Sequence, residues 1–92
     1  MINPKIIIVR KKLDKIDEKL LVLIKERTKL VGQILSYKKR KNEIIDKKRI
    51  RKILSNIKSK SLKKNIDTKI TLQIWKSMIN SYIKYEFRNF KK

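Results

Sequence analysis

Along the first third of the chain, apolar residues return at steps of three and four: Ile6, Val9, Leu13, Ile16, Leu20, Leu23, then Leu30 and Ile34. That spacing lines one face of a helix. Asn3 suits the N-cap and Pro4 the first helical position. The pattern continues to about Lys39, predicting a helix of about 35 residues and ~50 Å. Gly32, the only glycine, weakens this helix slightly and predicts a close packing contact. A chain this short cannot cover so long a stripe by itself. The pattern therefore calls for a partner helix, most simply from a second copy.

The periodicity breaks over "KRKNEII" (39–45), which reads as a loop. Asp46 then caps a shorter helix, "KKRIRKILSNIKSK", with Ile50, Ile53, Leu54 and Ile57 on one face. "SLKKNID" (61–67) reads as the next connection, where Asp67 or Thr68 can cap a third helix to about Phe90. Its apolar positions are Ile70, Ile74, Trp75, Met78, Ile79, Tyr82, Ile83 and Phe90. The expectation is a single all-α domain over 1–92, three helices in the order long–short–long, with no strand signal, repeat or flexible linker.

Two positions break the apolar stripes. Continuing the first helix's steps from Leu23 leads to Arg27, where a core leucine would be expected. In the third helix Trp75, Ile79 and Tyr82 lead to Glu86 and then Phe90. Lys38 lies eleven residues after Arg27, only about 20° away around the axis and ~16 Å further along it. Arg10, seventeen residues before Arg27, falls about 100° off that line. It is better placed to serve the pocket of a partner chain. In the second helix Arg49 immediately precedes the inward Ile50.

Each charge has an ordinary structural explanation. Arg27 could extend to a bundle edge, Lys38 could complement a helix C-terminus, and Asp46 needs no role beyond its cap. Glu86 could pair with a lysine at a rim, Arg49 could be a solvated surface charge, and Trp75 and Tyr82 are ordinary core aromatics. Their coincidence argues for a site. Two or three inward cations with one inward carboxylate leave net positive charge inside a bundle, which is costly unless an anion binds. The residue types suit a small dicarboxylate gripped by arginines.

Composition narrows the chemistry. The 92 residues include no cysteine and no histidine, so thiolate chemistry, disulfides and the usual zinc ligands and general base are excluded. No metal or cofactor is expected. The "IIIV" run is too short for a signal or membrane segment, and the expected compartment is the cytoplasm. The net charge is +20, from 28 Lys+Arg against 8 Asp+Glu. Such a balance invites a nucleic-acid reading. However, Lys, Ile and Asn dominate together, as A/T-rich codons would make them, and the charge is spread along the chain.

The segments "VRKKLDKIDEKLLVLIKER", "LVGQILSYK", "IIDKKRIRKIL" and "IWKSMINSYIKYE" together resemble the small all-helical class of chorismate mutases. The first helix carries the strongest match. The resemblance implies an intertwined homodimer of three-helix chains with two active sites shared between chains, and conversion of chorismate to prephenate on the way to phenylalanine and tyrosine. It implies that Arg10 (from the partner copy) and Arg27 hold the carboxylates and that Lys38 contacts the ether oxygen. Asp46 and Arg49 would line the substrate from the loop and second helix, with Tyr82 and Glu86 completing the pocket.

The chain departs from the family pattern at several positions. Ile50 stands where the family usually has a substrate-binding glutamate, Glu86 where glutamine is common, and Tyr82 where serine is frequent. The loop between Lys38 and Asp46 also looks one residue short. As a carboxylate Glu86 would repel the developing oxyanion; as a protonated acid it could donate to it, and turnover would then fall as pH rises. Lys38 nearby opposes that second form. Ile50 and Tyr82 also resemble the sister activity, isochorismate-pyruvate lyase, which forms salicylate on the same fold. A basic helical dimer binding nucleic acid is a further alternative, but it gives no reason for Arg27 and Glu86 to occupy apolar stripes.

Overall fold

A computed structural model describes residue 1 and residues 3–91. It is all-α, with three α-helices, one short 3-10 turn and no strand among the described residues. The helices are α1 (Pro4–Tyr37), α2 (Lys47–Lys63) and α3 (Thr68–Asn89), and the 3-10 turn spans Lys41–Glu43. None of these helices is long and apolar enough to cross a membrane. The chain divides into two compact units, Met1–Val31 and Gly32–Lys92.

The first unit consists of the helix start and most of α1. Asn3 caps it: its Oδ1 accepts from the Lys5 N–H at 2.9 Å, and its carbonyl accepts from the Ile6 N–H at 2.9 Å. Pro4 is the first helical residue, where its missing N–H has no consequence. The apolar stripe stays largely in the open, with Leu13 at 53% and Ile16 at 52% exposure. Thr28 turns its hydroxyl back onto the Ile24 carbonyl at 2.8 Å.

The second unit holds every buried residue among those described: Leu35, Ile44, Ser61 and Glu86. The Asp46 carboxylate caps α2 by accepting from the Arg49 N–H at 3.0 Å, and Asp67 caps α3 by accepting from the Lys69 N–H at 2.9 Å. Helix α2 runs to Lys63, three residues beyond the expected "KSK" end, because no breaker intervenes before Asn65. Asn65 takes a left-handed conformation, φ 57°. The Ile66 N–H returns to the Ser61 carbonyl at 2.9 Å and the Asn65 N–H to Leu62 at 3.2 Å. This closure satisfies the last carbonyls of α2. Four residues, 64–67, then suffice to reverse the chain into α3.

Helices α2 and α3 pack on each other. Ile50, Ile53, Leu54 and Ile57 are half-buried, as are Trp75, Met78, Ile79, Tyr82 and Ile83. Ser61, expected in a loop, is 3% exposed inside this contact, its Oγ 2.8 Å from Thr71 Oγ1. Ile70 and Ile74, expected on the buried face, are exposed, while Thr71 and Leu72 are half-buried. The contact face is therefore rotated at the start of α3, where the Ser61 and Thr71 hydroxyls meet. Gly32 has no crowded neighbour within the unit: an added Cβ would meet only the Tyr85 hydroxyl, at 4.0 Å. The close contact predicted at this glycine is absent here.

Candidate active site

Helix α1 ends at Tyr37, so Lys38 is the first residue beyond it and its side chain is released from the helical repeat. Glu86 lies in the last turns of α3 and is 7% exposed. The Lys38 ammonium donates to Glu86 Oε1 at 2.9 Å, an ion pair screened from water on both sides. A second N–H of Lys38 points to the Ile44 carbonyl, 3.5 Å away, at the far end of the 3-10 turn. An ammonium carries three donors, so one remains for a ligand.

The other sequence-identified residues fall into two groups. In the second unit, Asp46 and Arg49 are exposed and tied together by the α2 cap, which places the guanidinium-bearing residue in the positive first turn of the helix. Tyr82 is half-buried one turn before Glu86 and meets Tyr85 edge-on, with ring centroids 6.4 Å apart. Ile50 is half-buried. In the first unit, Arg10 is exposed and Arg27 half-buried on α1. The structure thus brings Lys38 and Glu86 into direct contact and joins Asp46 to Arg49, while Arg10 and Arg27 belong to the helical first unit.

This arrangement alters the charge argument. Lys38 and Glu86 neutralise each other, so their pair alone has no excess charge with which to attract an anion. Within the same unit, Arg49 is the sequence-identified cation left outside this pair. What the pair does supply is a fixed donor: an ammonium held by a carboxylate, oriented before any ligand arrives.

Ile44 is the residue that sequence reasoning missed. The polar run around it predicts a solvated loop, yet it is 3% exposed, the most buried hydrophobic residue among those described. The adjacent isoleucines Ile44 and Ile45 interrupt the polar run, a sign that the loop buries one of them, but the sequence does not say which.

No curated protein and no solved structure gives a significant match to the chain. A family model, chorismate mutase type II, matches residues 9–87, a span that takes in Arg10, Arg27, Lys38, Asp46, Arg49, Tyr82 and Glu86. By that match over most of its length, and with the all-helical fold to go with it, the chain belongs to the chorismate mutase type II family.

Proposed function

We propose that this protein is a chorismate mutase acting as a homodimer, with Lys38 and Glu86 at the reacting ether oxygen. Family membership supports the reaction class, and the 2.9 Å Lys38–Glu86 contact is the observation that carries the mechanism. In the rearrangement one C–O bond breaks as one C–C bond forms, without a covalent enzyme intermediate. The protein's task is to hold the substrate in a reactive geometry and to stabilise charge growing on the ether oxygen. The remaining Lys38 donor suits that oxygen. Arg27 and Arg10 of a second copy suit the two carboxylates, since guanidinium forks bind carboxylates in a defined plane. Arg49 and Asp46 border the substrate from α2, and Tyr82 closes the α3 side. The half-exposed stripe of α1 supports the second copy: completing the burial of each leucine there would contribute about 1 kcal/mol.

The test is product analysis with chorismate and, separately, isochorismate. Prephenate from chorismate is the expected result, with kcat/KM falling about a thousandfold or more in Arg27→Ala because a charged, bidentate contact is lost. Salicylate and pyruvate from isochorismate, with little prephenate, would move the assignment to the lyase. That second outcome is favoured specifically by Ile50 standing beside Arg49.

A further inference from the structure

We infer that Ile44 is a positioning residue for the mutase reaction, acting through Lys38; this rests on the mutase reading above. The connection between α1 and α2 is short, and it closes through the 3-10 turn Lys41–Glu43. The Glu43 N–H returns to the Arg40 carbonyl and the Ile44 N–H to the Lys41 carbonyl, each at 3.1 Å. That turn drops the Ile44 side chain into the second unit, where it is 3% exposed, while Ile45 beside it remains at 47%. The same turn leaves the Ile44 carbonyl facing Lys38. Burial therefore fixes the backbone from which the carbonyl projects.

The Lys38 side chain is long and would otherwise sample many rotamers. The Glu86 carboxylate alone restrains one N–H but leaves the ammonium free to swivel about that contact. A second acceptor from a different element removes the swivel and thereby aims the third N–H. At 3.5 Å the Ile44 contact is weak as a hydrogen bond. Its value lies in direction, because the reaction depends on where the remaining donor points, and displacement by about 1 Å can cost about a hundredfold in rate. Lys38 is the group that touches substrate in this scheme, and Ile44 acts only on Lys38.

The experiment is a double-mutant cycle in the full-length protein, using steady-state kinetics with chorismate. Ile44→Ala is expected to lower kcat about tenfold with KM changed less than about twofold. Ile44→Val, which keeps the buried branch, is expected to restore kcat to within about twofold. In a Lys38→Ala background, Ile44→Ala is expected to lower kcat no further, since the residue it orients is gone. Ser61→Ala, a buried change at the α2–α3 contact, serves as the stability control and should leave kcat unchanged. Equal losses from Ile44→Ala with and without Lys38 would overturn the inference, as would a loss matched by Ser61→Ala. If Ile44→Ala does not fold, Ile44→Thr, which keeps the branch but puts a hydroxyl in the buried site, gives the same cycle in the two backgrounds. Wild-type protein that forms no prephenate would remove the mutase reading, and this inference with it; active wild type with an additive cycle removes only the inference.

Discussion

The two units of the chain use apolar residues in opposite ways. In Met1–Val31 the stripe is regular and long, and it remains exposed along its length, Leu20 at 49% and Leu23 at 57%. In Gly32–Lys92 the apolar pattern is less regular, yet it surrounds two buried hydrophobic residues, a buried hydroxyl and a buried carboxylate. Periodicity measures what a helix is prepared to bury, whereas burial requires a surface that returns to meet it. Helices α2 and α3 supply that surface within the second unit by reversing over four residues. An isolated helical stripe has no such return, and helical propensity alone rarely stabilises it in water.

The contrast is open to a direct challenge in the first unit. Leu20→Asp replaces a residue that is already half-exposed in the single chain, so by that chain alone it should cost well under ~1 kcal/mol. If a second copy covers the stripe, the same change places a carboxylate in an apolar interface. The expected outcome is conversion to monomer by analytical ultracentrifugation, with chorismate turnover reduced at least about a hundredfold because Arg10 of the second copy is lost. A dimer of unchanged strength would show that the stripe is not the contact.

In the second unit the corresponding target is Glu86. Glu86→Ala leaves the Lys38 ammonium screened from water without its carboxylate, and should cost about 2 kcal/mol. At about 4–8 °C per kcal/mol for a domain of this size, thermal melting would register it clearly. Glu86→Gln keeps an acceptor for Lys38 and adds an amide donor. It is expected to retain turnover to within about tenfold, because the ammonium is still held in place. Turnover lost as fully in Glu86→Gln as in Glu86→Ala would show that the carboxylate charge itself is required.

The smallest expected effect lies at the boundary between the two behaviours. Gly32→Ala should stabilise α1 by up to about 1 kcal/mol, because the added methyl meets nothing closer than 4.0 Å in its own unit. Destabilisation instead, read by chemical denaturation, would indicate close approach by another chain at this glycine.

Much of this architecture was legible in the order of residues. The extent of α1, the capping roles of Asn3, Asp46 and Asp67, and the three-helix order all follow from local rules, since caps and helical repeats depend on neighbours within a few positions. Glu86 was visible as a charge interrupting an apolar stripe. The extra turn of α2 is not legible locally, because the polar run from Ser61 resembles a connection while Asn65 is the residue that reverses the chain. Periodicity puts Ile70 and Ile74 in the core, whereas Thr71 and Leu72 take the inward side at the start of α3.

What the sequence by itself determined is therefore the set of helices, the caps that start them, and which charged residues interrupt an apolar stripe. Those properties arise from backbone hydrogen bonding and side-chain spacing over one or two turns. Only the tertiary structure decided that Lys38 and Glu86, 48 positions apart, meet at 2.9 Å, and that Ile44 is buried while Ile45 is not. A meeting of that kind depends on the direction in which a short turn sends the chain, and a one-dimensional pattern carries no such direction.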